Sequence, residues 1–154
     1  MRNAEYLTTP HYEEARRAVS KDEPQMEGRD EMALVPLADK GNFFHIYDFR
    51  VKPGTGEEFV KKFEEFDYSD GNPMHKSPYQ VKDGVMLRDT EDEDHFWLIG
   101  EWASVEEHKR ILLELKDIAP EFVLLIEDLD KGAFVPKYGE VVSSTPQHIL
   151  DAAE

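Results

Sequence analysis

The stretch LRDTEDEDHFWLIGEW, residues 87–102, decides the fold of this chain. It joins two extended runs, YQVKDGVMLRDT (79–90) and HFWLIGEWAS (95–104), through the short acidic loop EDED (91–94). Such a short connection between sequential strands predicts an antiparallel hairpin. Alternation along the second run divides its side chains between two faces, with Phe96, Leu98, Gly100 and Trp102 on one and His95, Trp97, Ile99 and Glu101 on the other.

The segments before and after this hairpin show alternating strand and helix patterns. FFHIYDFRV (43–51) is rich in β-formers and bulky on both faces, which predicts a strand covered on both sides. Thr55 with Glu58, and Ser104 with Glu107, have the spacing of capping boxes, so a helix should follow each pair. The first helix carries an apolar stripe that we interpret as core packing: Phe59, Val60, Phe63 and Phe66.

The second helix should run from Val105 to about Ile118, and Pro120 should restart it as PEFVLLIEDL (120–129). KGAFVPKYGEVV (131–142) predicts a last strand whose proline places it at a sheet edge or a bulge. STPQHILDAAE (144–154) predicts a short terminal helix. The order β-α-β-β-α-β is typical of an α+β, ferredoxin-like fold, with helices on one side of an antiparallel sheet.

The first forty residues differ from this regular pattern. Thr9 and Pro10 predict the start of a short helix that ends near Val19, and a polar segment broken by Pro24 and Gly28 follows it. We therefore predict three parts, an N-terminal arm of short helix and linker over 1–41, a ferredoxin-like domain over 42–143 and a short C-terminal helix over 144–154.

The composition restricts the partners of the chain. It has 154 residues, 18 basic and 34 acidic, with a formal net charge of -16 and no cysteine. This charge repels phosphate backbones and anionic membranes, so we expect neither nucleic acid nor membrane as a partner. Without cysteine there is no disulfide or thiolate site. The first residues lack the apolar run of a signal peptide, which predicts a cytoplasmic protein.

The ordered set of motifs resembles one known family. YDFRVKPGTGEEFVKKFEEF (47–66) and VMLRDTEDEDHFWLIGEWASVEEHKRI (85–111) are similar to the antibiotic-biosynthesis-monooxygenase family of dimeric α+β barrels. The resemblance spans roughly residues 43–142. It implies a homodimer whose two sheets pack face to face, with a small aromatic ligand inside the barrel. An uncovered apolar sheet face independently favours a second copy of the chain as its cover.

The activities of that family are varied. Some members oxygenate quinol-like aromatics without metal or flavin, and the resemblance implies this activity here, with no cofactor. Others degrade haem, but the asparagine and tryptophan positions of that branch correspond here to Tyr47 and Ile111, and its histidine is missing. Haem degradation of the known kind is therefore disfavoured.

The candidate site consists of residues able to line a cavity. We predict His45 as a base for a phenolic proton and Tyr47 as a hydrogen-bonding partner of a substrate oxygen. The predicted substrate-binding residues are Arg88, Trp97, Glu101, Trp102 and His108. His108 comes about one helical turn earlier than the family's histidine. The competing interpretation makes His45 a hydrogen-bonded strand residue, Tyr47 a core residue and the tryptophans packing anchors.

No spacing in the sequence points to a metal. The six histidines are scattered, without H-x-H or H-E-x-x-H, so we expect no metal site. The leading hypothesis is a cofactor-independent monooxygenase acting on a small aromatic or quinol-type ligand. A non-catalytic dimeric binding or structural module is the alternative. A haem-binding protein is the weaker third hypothesis.

Overall fold

The structure, a computed structural model, describes residues 34–153 of the chain. Residues 37–144 form one compact unit, and the described residues beyond it, 34–36 and 145–153, belong to a second unit. The short helix predicted from Thr9 lies outside the described residues. The division at 41 and 143 into arm, domain and terminal helix stays a prediction.

The larger unit contains a four-stranded antiparallel sheet. Its strands are β1 (Phe43–Arg50), β2 (Val85–Arg88), β3 (His95–Trp102) and β4 (Lys137–Glu140), in the order β2-β3-β1-β4. Helix α1 (Gly56–Asp67) connects β1 to β2, and helix α2 (Val105–Ile118) lies between β3 and β4. This order, in which β3 lies between β2 and β1, confirms the predicted α+β ferredoxin-like fold.

The hairpin pairs as its alternation predicted. Val85 pairs with Ile99 and Leu87 with Trp97, so these four residues share one face of the sheet. Strand β2 is nevertheless only four residues long, much shorter than the predicted extended run. Strand β4 is an edge strand that begins directly after Pro136, as expected for a strand bearing a proline.

The two predicted capping boxes differ. Ser104 has extended backbone, and its Oγ accepts a hydrogen bond of 3.2 Å from the Glu107 amide, which confirms its side of that box. The Thr55 box was wrong, because the Thr55 hydroxyl donates to the Lys52 carbonyl at 2.6 Å and caps no helix amide. In the tight turn after β1, the Thr55 amide also donates to that carbonyl, at 3.1 Å.

The predicted helical restart after Pro120 was also wrong. Helix α2 ends at Ile118, and the next residue, Ala119, has a φ of 49°, in the left-handed region. The chain then forms two short 3-10 turns, Glu121–Leu125 and Leu129–Lys131. Proline lacks an amide hydrogen and disfavours helical backbone in the preceding residue, so the helix stops there. The terminal helix is confirmed as α3, Gln147–Ala152, in the second unit.

The helices cover one face of the sheet, which we call the helix-covered face. Alternate residues of β1 and the bridge residue after it are buried on this face: His45, Tyr47, Phe49 and Val51. Ile46 on the opposite, open face is 36% exposed. Within one chain, therefore, β1 is covered on one side only. Cover on both sides, as expected from the sequence, would require another layer of protein on the open face.

Phe59 is the centre of the aromatic core. Its side chain has 0% exposure, and its ring centroid lies 5.0 Å from that of Phe96, 5.5 Å from Phe49 and 5.9 Å from Phe122. One helix, two strands and a 3-10 turn therefore meet at this ring. The core-packing interpretation of the phenylalanine stripe holds for Phe59, whereas Phe63 is only partly buried.

Replacing Phe59 by alanine should lower the free energy of unfolding by about 3–5 kcal/mol, because a full aromatic ring is lost from a closed core. Leu113, 65% exposed on α2, provides the control, since Leu113→Ala should change it by less than about 0.5 kcal/mol. Urea unfolding followed by circular dichroism measures both. Equal losses in the two variants would contradict this placement of the core.

Candidate ligand-binding cavity

A cavity of about 640 Å³ opens between the helix-covered face and the elements packed on it. Its volume lies in the range of small-molecule sites, and its wall is mainly apolar. The apolar and aromatic lining comes from α1, α2, β3 and the segment 120–136: Phe63, Phe66, Leu98, Leu112, Leu115, Pro120, Phe122, Val123, Leu129, Phe134, Val135 and Pro136.

Strand β1 contributes the two polar residues predicted as catalytic. His45 and Tyr47 both line the cavity, since they are two positions apart and therefore share the helix-covered face. They are 5% and 3% exposed. Their ring centroids lie 5.5 Å apart in an edge-to-face arrangement, so a molecule in the cavity could contact both.

His45 owes its position to the absence of a side chain opposite it. It pairs across the sheet with Gly100, and a Cβ atom on Gly100 would lie 2.6 Å from His45 Cε1. Any larger residue there would displace the imidazole. On its other side the ring stacks on His108, with centroids 4.5 Å apart.

Both stacked histidines are held neutral. Burial, together with a smaller effect of the neighbouring His108, lowers the pKa of His45 to about 3. Burial likewise lowers the pKa of His108 to about 4. His108 Nδ1 lies 2.7 Å from the Tyr138 hydroxyl, whereas His45 Nδ1 has no hydrogen-bond partner among the described residues. No described contact therefore fixes which nitrogen of His45 carries the hydrogen.

Tyr47 also stays un-ionised without a ligand, because burial, and to a smaller extent the nearby Tyr138, raises the pKa of its hydroxyl well above the usual range. Its ring stacks on Phe134 with centroids 4.4 Å apart. The neutral phenol can donate or accept one hydrogen bond at the cavity wall. Together with neutral His45, it makes this wall polar but uncharged.

The remaining predicted substrate-binding residues are divided by the fold. Trp102 and His108 are buried behind His45 and do not line the cavity. Arg88 shares the helix-covered face but pairs with Glu57 at 2.7 Å and lies over the Phe96 ring. The structure does not bring it to the cavity wall.

Trp97 and Glu101 lie on the open face, on the other side of the sheet from His45. The Trp97 ring contacts His95 edge-to-face with centroids 4.5 Å apart. The buried Glu101 carboxylate accepts hydrogen bonds from the Asp39 amide at 2.8 Å and the Asn42 side chain at 2.9 Å. Its contacts hold the loop before β1, which is a structural role.

The expected position of the ligand needs a correction. The resemblance implied a ligand between two sheets, which would require His45 and Tyr47 on the open face. Instead, the described cavity that they line lies within one chain, between sheet and helices. The pairing of His45 with Gly100 and Tyr47 with Leu98 fixes this orientation.

Sequence reasoning missed the apolar wall and the polar mouth of the cavity. Phe63 and Phe66 line the wall beside the core phenylalanine of the same stripe. At the mouth are Asp67, His75 and Asp83, whose ligand atoms all lie within 4.8 Å of one another. These three are eight residues apart in sequence and come from a helix end, a 3-10 turn and a loop, so no short motif signals them.

Several solved structures are similar to this chain. One is a candidate antibiotic biosynthesis monooxygenase from Chloroflexus aurantiacus J-10-fl, 20% identical, over 66% of this chain and 94% of that chain, with a TM-score of 0.48. Another is SnoaB, a cofactor-independent oxygenase from Streptomyces nogalater. It is 17% identical over 64% of this chain and 89% of that chain, with a TM-score of 0.46. A candidate antibiotic biosynthesis monooxygenase from Bordetella bronchiseptica is 18% identical over 65% and 94%, with a TM-score of 0.43.

Two of these proteins bear the name of the family that the sequence resembles. At such identities and TM-scores the similarity carries no information on substrate or residue roles. No protein-family profile matches the sequence. No curated protein matches it either. Among residues 34–153, no helix has the length and apolar character needed to cross a bilayer.

The free energy of unfolding should fall between pH 7.5 and pH 5. The folded pKa values of His45 and His108, about 3 and about 4, lie below the unfolded value of 6.5, so acid protonates the unfolded state first. His95 acts oppositely, because hydrogen bonds to Asp89 and Asp48 raise its folded pKa. Its contribution is present below the unfolded pKa and is lost as the pH rises through the folded pKa.

Two variants separate these contributions. Between pH 7.5 and pH 5, the free energy of unfolding of His108→Gln should fall by less than that of the wild-type chain. That of His95→Gln should fall by more. Urea unfolding at pH 7.5 and pH 5 measures the difference for each protein. Identical pH dependence in all three would show that these histidines are not held as described.

Proposed function

We propose that the chain binds a small, flat aromatic molecule bearing a hydroxyl group in this cavity and oxygenates it without a cofactor. The observation that carries the proposal is an apolar cavity of about 640 Å³ with a buried, neutral imidazole in its wall. Aromatic rings such as those of Phe63 and Phe134 favour a planar ligand. A hydroxyl group would be recognised by His45 and Tyr47.

Hydrogen bonding at this wall should select the ligand. A buried polar group without a partner costs about 1–3 kcal/mol, and a ligand hydroxyl near the His45 imidazole would offset such a cost. The same site should discriminate against the unsubstituted hydrocarbon, which leaves the imidazole and phenol unpaired. The wall has no charged group from β1, so a neutral hydroxyl fits it better than a carboxylate.

The proposed reaction follows from this contact. As the hydroxyl proton moves toward His45, the ring becomes electron-rich enough to reduce O2 directly. In the keto form of the ligand, one ring CH2 group becomes a carbonyl group that takes one oxygen atom of O2. The other oxygen atom of O2 leaves as water together with the two hydrogens of that CH2 group. O2 takes up the four electrons that the carbon loses, so no further reductant is required.

The low pKa of His45 favours a second candidate, a binding protein without catalysis. A phenol of pKa about 10 and an imidazolium of pKa about 3 differ by about 7 units, or about 10 kcal/mol, against complete proton transfer. Catalysis therefore requires the negative charge of the deprotonated ligand, and the charge that develops on O2, to raise the pKa of His45. A hydrogen-bonding role needs no such change.

Anthrone, a tricyclic ketone whose enol is a phenol, is a suitable probe for both candidates. The wild-type chain should bind it without oxygen and consume O2 with it in air, giving anthraquinone. His45→Phe should retain binding within about tenfold but oxidise anthrone about 100-fold more slowly, the scale of lost acid–base catalysis. Calorimetry and an oxygen electrode measure the two steps.

The matched control is His148→Phe, the same substitution at an exposed helix position, and it should behave as the wild-type chain. Binding without oxygen consumption would overturn the oxygenase proposal and support the binding protein. A simpler aromatic alcohol, 1-naphthol, is a second binding probe, and absence of binding of both anthrone and 1-naphthol would overturn both candidate functions. An equal oxidation rate in His45→Phe would remove His45 from the mechanism.

The open face of the sheet supports a homodimer as the assembly. Val85 and Leu87 are 50% and 43% exposed there, and they lie beside the half-buried Ile99 and Trp97. An exposed apolar patch on a flat sheet is typical of a protein interface. A second copy related by a twofold axis would cover it with the same patch.

In sedimentation equilibrium the wild-type chain should have twice the mass of 17.8 kDa. Val85→Lys should shift it to the monomer, because a charge in an apolar interface loses its hydration. Leu113→Lys, on the exposed side of α2, should remain dimeric. A monomeric wild-type chain at micromolar concentration, or equal behaviour of both variants, would exclude an interface at the open face.

A further inference from the structure

Three side chains at the mouth of the cavity converge on one point. Asp67 is the last residue of α1, His75 lies in the 3-10 turn Pro73–Lys76, and Asp83 precedes β2. His75 Nε2 is 2.9 Å from Asp83 Oδ1 and 3.4 Å from Asp67 Oδ1. A single ring nitrogen therefore faces oxygen atoms of two carboxylates.

These separations match the edges of a coordination shell. With ligand bonds of about 2.1 Å, neighbouring donors lie about 3.0 Å apart in an octahedron and about 3.4 Å apart in a tetrahedron. One imidazole nitrogen and two carboxylate oxygens are a donor set suited to a divalent transition metal. Three protein donors leave at least one position open.

A second histidine with two aspartates shows what an ordinary ion-pair cluster looks like in this chain. His95 Nδ1 lies 2.9 Å from Asp89 Oδ2, while Asp48 contacts the other ring nitrogen, Nε2. Each carboxylate thus has a nitrogen of its own, and the two lie on opposite sides of the ring. No single ion could bind both of these carboxylates and one ring nitrogen. The two clusters have the same composition, one histidine and two aspartates, and only their geometry distinguishes them.

The carboxylates at the cavity mouth are oriented before any ion arrives. Asn72, only 4% exposed, donates from its side chain to Asp67 Oδ1 at 3.1 Å. The Gly84 amide donates to Asp83 Oδ1 at 2.9 Å. Contacts of this kind fix ligand orientation in metal sites.

From this convergence we infer a binding site for a divalent transition-metal ion, of the zinc class, held by Asp67, His75 and Asp83. The Asp83 side chain is 66% exposed, so the ion can enter from solvent. All three residues also line the cavity, so the open position of the ion is available to an oxygen or nitrogen donor of a cavity ligand. The two carboxylates together carry two negative charges, which a divalent ion balances.

Calorimetric titration of the full-length, tag-free, metal-stripped chain with ZnCl2 tests the site. The wild-type chain should bind one equivalent at the site, and His75→Ala and Asp83→Asn should each weaken that binding at least tenfold. His95→Ala and Asp89→Asn are matched controls from the ion-pair cluster and should bind Zn2+ as the wild-type chain does. Co2+ should give visible absorption bands in the wild-type chain that His75→Ala loses.

Circular dichroism of each variant shows whether it is folded, so a loss of binding in folded His75→Ala supports the site. Absence of Zn2+ binding to the wild-type chain would overturn it. Equal binding in wild type and His75→Ala, or equal losses in His75→Ala and His95→Ala, would overturn it as well. These readouts involve neither anthrone nor His45, so they are independent of the proposed oxygenation.

Discussion

Strand β1 is paired on both edges, with β3 along its full length and with β4 over its first half. Pairing on two sides leaves it no freedom to slip, because a shift of one residue would exchange its two faces. His45, Tyr47 and Phe49 must then lie under the helices, and Ile46 and Asp48 must face outward. The aromatic core and the cavity wall both depend on this register.

Burial of His45 and His108 has a consequence for chemistry as well as for stability. Removing two imidazoles from water suppresses their charged forms, and the stacked arrangement adds mutual repulsion if both become protonated. The inner end of the cavity is therefore a neutral hydrogen-bonding surface. This favours recognition of a hydroxyl group and makes any proton transfer dependent on charge developing in the ligand.

The outer end of the cavity has the opposite character. Asp67, His75 and Asp83 provide a polar, partly exposed rim around the entrance to an apolar interior. A molecule that spans the cavity would meet an uncharged wall at one end and the rim at the other. In the proposed scheme the rim holds an ion, so a ligand with donors at both ends would be bound at two points.

The sequence by itself determined the order of elements, the hairpin, and the alternation that places His45 with Tyr47, because these follow from local periodicity and turn residues. It also gave the Ser104 cap correctly. It failed at Thr55 and Pro120, where a nearby carbonyl and the missing proline amide outweighed the local pattern. It could not place Arg88, Trp97 and Glu101 relative to the cavity, since that depends on where the helices pack.

Only the tertiary structure decided that the cavity lies within one chain and that Asp67, His75 and Asp83 meet at its mouth. Those three residues are separated by a turn and a loop, and their approach results from packing α1 and the 3-10 turn against the sheet. Local sequence specifies which face a side chain occupies. Distances between elements are set by the volumes of the core side chains between them, and a single sequence does not state these directly.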